Sequence, residues 1–458
     1  MAGTLNPPGL ARFRELFSGE VVLPGDPSYD QARVVWNAIS DRRPALIARC
    51  SSVEDVVSAI RYARDQELTV AVRGGGHSVA GFATCDDGMV IDLSRMRKVV
   101  VDPARRWARA EGGAHLSQLD QAAQAHGLVC PVGVVGHTGV AGLTLGGGMG
   151  RLQRKFGLTV DNLVRVDLVT AEGELIRASE QENADLFWGL RGAGANFGVA
   201  TAFEFRLHPM DATIFQGFCA YPIERSQEMA AHVREFVATH DEVHVAVAFT
   251  RAGDEPPFPA GGAGRPVFMV GATHTGSVEE AERNLRVLRG PGSLVDTFGP
   301  KSYLAVQGMA DETMAWGQRF YTKSGFLPDF SEGVVDVCVA EVESIPPGAE
   351  ISLWAQGGAL GRVSNDAMAF TGRDAQFNIS AELSWTDQAH DAERMAWGRK
   401  AMAAVKPFMT TGRYVNDVVE AGTDGAQIYG KAKYDRLVGL KRKYDPDNFF
   451  RLNQNIRP

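Results

Sequence analysis

Two glycine-rich stretches, each with a histidine, are the parts of this chain best able to organise chemistry: RGGGHS at 73–78 and GHTGVAGLTLGGGMG at 136–150. Consecutive residues without side chains let backbone N–H groups converge on an anion, so such a loop following a strand can cradle a pyrophosphate. Taken singly, each cluster is equally well a tight turn, and RGGGH a turn followed by a surface histidine. The usual nucleotide signatures do not fit. There is no G-x-x-x-x-G-K-[ST], and no G-x-G-x-x-G opening a helix with an acidic residue about 20 positions further on.

The elements around the first cluster alternate: ALIARC reads as a strand, SSVEDVVSAIRYARD as a helix and LTVAVR as the strand that delivers Arg73. In the helix, Val53, Val56, Val57 and Ile60 share a face, and Ser52 with Asp55 gives an S-x-x-D cap. MVIDL, KVVVD and WARAEGG follow as strands, and HLSQLDQAAQAH as a helix stopped by Gly127. DNLVRVDLVTAEGELIRAS predicts two strands about a turn at 171–174. NADLFWGLRG then predicts a short helix, and NFGVATAFEFRLH a strand. After Pro209 the texture changes to long strand candidates (HVAVAFTRA, PVFMVGATHTG, ISLWAQGGA, FNISAELSW) separated by helices, with a loop at 254–266. The tail KYDRLVGLKRKYDPDNFFRLNQNI begins helically and ends in a polar, aromatic segment able to return to the first part.

A length of 458 residues predicts two or three separately packed units, with a two-domain enzyme the natural starting point. With 45% hydrophobic and 22% charged residues the chain is ordinary for a globular protein. A formal charge of −8 offers no attraction to nucleic acid or anionic lipid, and neither is expected as a partner. MAGTLNPPGLARF lacks the apolar core of a signal peptide, so a cytoplasmic location is expected. The five cysteines form no C-x-x-C pair and the ten histidines no ligand spacing; neither a disulfide framework nor a metal is expected.

RGGGHS, the block GHTGVAGLTLGGGMGRLQRKFGLTVDNL, the block LFWGLRGAGANFGV, the YVN of 414–416 and the ending NFFRLNQNI, in this order, resemble the FAD-linked oxidases related to berberine bridge enzyme and 6-hydroxy-D-nicotine oxidase. The resemblance spans most of the chain and is strongest over 40–210 and 410–458. It implies an α+β, two-domain FAD-binding fold of the vanillyl-alcohol-oxidase (PCMH) type. Residues 1–210 and 410–458 would form the FAD domain, and 211–409 a substrate domain with an antiparallel sheet covered by helices. It further implies a covalent bond from His77 to the 8α-methyl of the flavin. Many relatives add a cysteine bond just before the second glycine cluster; here that position falls at about Val135, and Cys130 lies five residues earlier, so a singly linked cofactor is expected. The same resemblance places Arg73, Gly74, Gly75, Gly76, Ser78, Thr138, Gly139, Gly142, Leu143, Gly146, Gly147, Gly150, Asn196, Gly198, Val199, Tyr414, Asn453 and Asn455 along the FAD.

The implied reaction takes a hydride from a small organic substrate (a secondary-metabolite alcohol, polyketide, sugar or amine) and passes electrons to molecular oxygen, in a monomer or homodimer. A substrate hydroxyl would need a base as its hydride leaves. Tyr414, with Asn416 in the family's Y-x-N pattern, is the expected base or its partner, although a tyrosine with an ordinary pKa near 10 would need help from its surroundings. His137, Tyr321 in FYTKSGF and Glu382 in ISAELSW are second-rank candidates, and a core or surface role is expected of Glu382. HTGVAGL also resembles the bacterial enterocin-pathway flavoenzyme, which implies an alternative chemistry: oxygen transfer from flavin N5 to a polyketide-like substrate beside Thr138 and Leu143.

Overall fold

The helix expected from SSVEDVVSAIRYARD forms as Val53–Asp65, with the Ser52 hydroxyl accepting from the Asp55 N–H at 3.2 Å. Its buried face of Val56, Ala59, Ile60 and Ala63 packs with Leu46, Ala48 and Ile91 of a four-stranded sheet. In that sheet Leu46–Arg49, Met89–Asp92 and Val70–Arg73 run parallel in spatial order, with Glu20–Val22 antiparallel at the edge. Both faces of this sheet are covered, which is why these strands read as near-continuous apolar runs. The computed structural model describes residues 9–258, 261–420 and 422–458. Positions 259 and 260 of the expected loop at 254–266, and residues 1–8 of the leader reading, lie outside the described residues.

A second, antiparallel sheet has the order Val99–Asp102, Trp107–Glu111, Val199–Arg206, Leu163–Val169, Leu175–Ser179. The last two strands are the pair expected on either side of the turn at 171–174. The helices Leu116–Gln124 and Ala184–Leu190 form where the sequence places them and bury Leu116, Leu119, Leu186 and Leu190 against this sheet.

The third large sheet is antiparallel throughout and runs Val295–Asp296, Thr213–Pro222, Pro266–His274, His244–Arg251, Ala349–Ala355, Phe377–Trp385, Arg319–Leu327, with Gly299–Ser302 also on Thr213–Pro222. Successive strand residues point to opposite faces, and one set decides the packing. Ile351, Leu353, Phe377, Ile379, Ala381 and Leu383 are buried with Val233, Val335 and Ala401 of the helices Ser226–Thr239, Glu332–Val342 and Asp391–Val405. The alternate set, which includes Glu350, Ser352, Ser380 and Glu382, is turned to the other face. No helix among the described residues is long and apolar enough to cross a membrane.

The tail returns to the first two sheets and is locked there. Lys441, on the helix Lys431–Tyr444, and Asp445, which caps it, are both fully buried and pair at 2.7 Å. Lys441 also donates to the carbonyls of Asn196 (2.7 Å) and Phe450 (2.8 Å), while Asp445 accepts from the N–H groups of Phe449 (2.8 Å) and Phe450 (2.9 Å). Asp445→Ala would strand a buried ammonium, a loss of about 3–5 kcal/mol for a broken buried pair. Chemical denaturation checks it; an unchanged midpoint would show the tail to be held otherwise.

Candidate active site

A cavity of about 860 Å³ is lined on one side by the two glycine loops and on the other by the alternate face of the third sheet. The loops meet backbone to backbone: a side chain on Gly75 would collide with Gly139, and one on Gly139 with Gly75. A Cβ on Gly142, by contrast, would meet nothing within 4 Å. Glycine at 75 and 139 thus permits contact between loops, and at 142 it leaves the cavity open.

His77 stands at the end of the first loop, half-buried in the cavity wall. The Trp36 ring stacks on it at 4.4 Å, and Trp36 in turn stacks on Phe320 at 3.8 Å. Its Nε2 lies 2.6 Å from Nδ1 of His137, and its Nδ1 3.4 Å from the Thr138 hydroxyl. Burial, and then the neighbouring imidazole of His137, push its pKa down to about 2, so the ring is neutral throughout the physiological range. A neutral imidazole nitrogen is a competent nucleophile.

Across the cavity, Glu350 and Glu382 are direct cross-strand neighbours in the register of Ala349–Ala355 with Phe377–Trp385. Glu382 accepts from the hydroxyls of Ser380 (2.6 Å) and Ser352 (2.9 Å). Asp417, on the short 3-10 turn Val415–Asp417, completes a group of three carboxyls on the cavity wall. Burial first, and then the Glu382 charge, raise Glu350 to about 8 and Asp417 to about 7. Like charges this close cannot all be carried cheaply, so the group retains protons at neutral pH.

The cavity suits FAD on two observations. It offers side-chain-free backbone at Gly74–Gly76, Gly139, Gly142 and Gly194, where a diphosphate and ring can approach main-chain N–H groups. It also holds Asn453, which donates to Ala195 O (2.8 Å) and Phe450 O (2.9 Å) while its buried Oδ1 has no partner among the described residues. A buried acceptor without a donor is costly, and a bound donor would relieve it.

Comparison with known proteins agrees. A family model described as FAD binding domain matches residues 44–179, and one described as berberine and berberine like matches 414–457. The chain is 32% identical to the (R)-6-hydroxynicotine oxidase of Paenarthrobacter nicotinovorans, over 96% of this chain and 97% of that one. It is also 32% identical to an FAD-linked oxidoreductase of Dictyostelium discoideum, over 97% and 96%. The chain belongs to the berberine bridge enzyme-like family of FAD-linked oxidoreductases. Among solved structures, 6-hydroxy-D-nicotine oxidase from Arthrobacter nicotinovorans superposes with a TM-score of 0.86 at 30% identity, covering 96% and 98% of the two chains. A berberine bridge enzyme variant at 22% identity and the same TM-score shares the fold. The expected α+β, two-domain FAD-binding fold of the PCMH type is therefore the fold of this chain.

Within this family framework, Gly74, Gly75, Gly76, His77, Ser78, Thr138, Gly139, Gly142, Leu143, Tyr321, Tyr414, Asn416 and Asn453 all lie on the cavity wall. The other residues expected along the FAD do not, and all but Asn455 have a structural reason for their type. Arg73 is held by Asp92 at 2.8 Å within the parallel pair of strands and faces away from the cavity, into a smaller pocket. A side chain on Gly146 would strike Asn416, one on Gly147 the Phe370 ring, and ones on Gly150 and Gly198 the carbonyls of Val132 and Val169. Val199 is buried in its strand with the first sheet. Asn196 stitches the tail, donating to Ala193 O (2.8 Å) and accepting from the Ile456 N–H (3.1 Å). Asn455 also stands off the wall, its Oδ1 buried and unpaired among the described residues. His137 touches the cavity only through His77.

Of the two roles expected of Tyr414, base or partner of the base, its surroundings favour the second. Its hydroxyl accepts from the Met149 N–H (3.3 Å) and from Asn416 Nδ2 (3.0 Å), yet burial and the nearby Asp417 raise it to about 12. Asn416 also donates to Leu143 O (3.2 Å), so the Y-x-N pair clamps the second glycine segment. Tyr321 is likewise raised to about 12, by burial and by Glu420, to which it donates at 3.3 Å. Cys130 is fully buried away from the cavity, whereas Val135 lies on its wall. Glu350, Asp417 and Trp36 carry no local motif that marks them, and the one signal for Glu350 and Glu382 is a glutamate at an inward position of an apolar strand.

Proposed function

We propose that this chain is an oxidase carrying one FAD bound covalently through His77. It takes a hydride from a small amine or hydroxyl-bearing substrate and yields hydrogen peroxide from molecular oxygen. In this reading residues 1–210 and 410–458 hold the cofactor and 211–409 roof it. The observation that carries the proposal is the carboxyl group of three, Glu350, Glu382 and Asp417, facing the glycine-lined wall and His77 across one cavity. The relative named (R)-6-hydroxynicotine oxidase supports the oxidase reading.

When bound, FAD supplies the hydride acceptor and returns the electrons to oxygen. The chain's own part is to hold the substrate's reacting C–H toward that wall and to receive the proton of the adjacent N–H or O–H. Glu382, fixed by two serine hydroxyls, takes that proton. Glu350, its cross-strand neighbour, and Asp417 stand on the same wall as the next carboxyls that proton can reach once they are ionised. Tyr414, protonated and clamped by Asn416, holds the shape of the second glycine segment.

The pH dependence follows in sign from the two raised acids. Below about pH 7 Asp417 and Glu350 hold their protons and cannot receive the one that Glu382 takes from the substrate. Between about pH 7 and 8 they ionise and can receive it. The value of kcat/KM should therefore rise through this interval and level off above it; a profile flat from acid to alkali would remove the group from the chemistry. Oxygen uptake during a screen of amines, alcohols, sugars and polyketide-like compounds identifies the substrate. One peroxide per substrate consumed is expected. A product that has gained an oxygen atom, with less peroxide, would replace the oxidase with an oxygen-inserting enzyme.

A further inference from the structure

We propose that the smaller pocket behind the first glycine loop is a second binding site, for a phosphate dianion, either free or carried as a monoester by a small metabolite. The pocket has a volume of about 260 Å³ and lies where the parallel strands Leu46–Arg49, Val70–Arg73 and Met89–Asp92 end. The carboxyl ends of parallel strands are where open α/β sheets take their ligands. Among the described residues it shares with the FAD cavity only Gly74 and Gly75, which divide the two spaces. Gln31, Val34 and Trp316 line it as exposed residues, so it opens to solvent on its own side.

The strand register sets Arg49 and Arg73 on either side of Asp92, the one carboxylate of the pocket wall. That carboxylate is already committed: it accepts from Arg73 Nη2 (2.8 Å), from the Ser94 N–H (2.9 Å) and from the Ser94 hydroxyl (3.0 Å). Arg49 Nε stands 3.5 Å from it, too far for a firm hydrogen bond, and this N–H is buried with no partner among the described residues. A third guanidinium, that of the exposed Arg97, reaches no carboxylate among the described residues and contacts His115 Nε2 at 3.4 Å. Burial, then Arg97 and His137, lower His115 to about 4, so its ring adds no charge at neutral pH.

Three guanidinium groups against one carboxylate leave this wall with two positive charges in excess, in a chain whose formal charge is −8. Outside the wall Glu20 pairs with Arg49 at 3.0 Å, but Arg95 pairs with the same Glu20 carboxylate and cancels its charge. A dianion balances the excess, and its oxygens relieve the cost of the buried Arg49 donor. Guanidinium forks match phosphate oxygens, and a tetrahedral group can accept at once from donors on separate elements, where a planar carboxylate meets one fork. An anion held there touches the first glycine loop from the side opposite the flavin cavity.

The test is calorimetric titration of the FAD-loaded enzyme, in phosphate-free buffer at an ionic strength held constant with sodium chloride, using inorganic phosphate, glycerol 3-phosphate and succinate in turn. Wild type should bind one phosphate per chain, and the tighter of the two phosphates tells the free anion from the monoester. Arg97→Gln removes an exposed cation, and Arg49→Lys keeps the charge beside Glu20 while deleting the buried Nε–H. Each should weaken phosphate binding by about tenfold to a hundredfold, the usual worth of a hydrogen bond to a charged group. Thermal unfolding without phosphate checks that both variants are folded, and added phosphate should raise the wild-type midpoint more than theirs. A loaded wild type that gives no saturable heat with either phosphate overturns the proposal, as does wild-type affinity in either variant. Tighter binding of succinate than of both phosphates overturns the assignment to phosphate. None of these readouts uses a substrate, so the oxidase reading stands or falls separately.

Discussion

Replacing Glu382 by Gln is expected to lower kcat by about 10²- to 10⁴-fold, the usual contribution of a positioned proton acceptor, with FAD content and visible spectrum unchanged. The substitution is close to isosteric, and the amide oxygen can still accept from Ser380 and Ser352, so the serine contacts survive and only the charge is lost. A second consequence follows from the same charge. After burial, the Glu382 charge is what raises the pKa of Glu350 and Asp417, so in the variant both should ionise at lower pH. Residual activity should therefore reach its plateau at a lower pH than in the wild type. The decisive measurement is the rate of anaerobic flavin reduction. If that rate is unaltered while KM rises, Glu382 binds substrate and another group takes the proton.

The fold was legible in the sequence where the pattern is local. Val56, Ala59, Ile60 and Ala63 recur at helical spacing and bury one face, and the apolar runs at 46–49, 70–73 and 89–92 match a sheet covered on both sides. The glycine loops were legible as a wall because a glycine cluster declares its own lack of side chains. Which glycines touch the cavity was not legible, because Gly142 and Gly146 differ only in what lies opposite: open space for one, Asn416 for the other. The carboxyl group was hidden for a related reason. Glu350 and Glu382 meet only through the register of two strands far apart in sequence, and Asp417 arrives from the returning tail. A core or surface role is therefore all that local pattern supports for Glu382, although its place on the cavity wall beside Glu350 follows from the register. For Tyr414 the reverse holds: its motif is plain in the sequence, while the burial that keeps its hydroxyl protonated is not.

The second large effect is expected from His77→Ala: flavin that resists acid precipitation should fall from stoichiometric to none. The colour need not vanish with it, since the surfaces at Gly74–Gly76, Gly139, Gly142 and Asn453 remain, and FAD should still bind reversibly. What disappears is the nitrogen that burial and His137 keep unprotonated and nucleophilic at neutral pH. Substrate oxidation should also slow, because an alkylated imidazole on the 8α carbon withdraws electrons from the ring and makes it a stronger oxidant. The fold should bear the change, since the lost hydrogen bond to His137 is worth about 1 kcal/mol, and the Trp36 ring keeps its stack on Phe320. Thermal unfolding of the variant therefore serves as the control, and acid-precipitated protein that stays yellow would move the attachment to a different side chain.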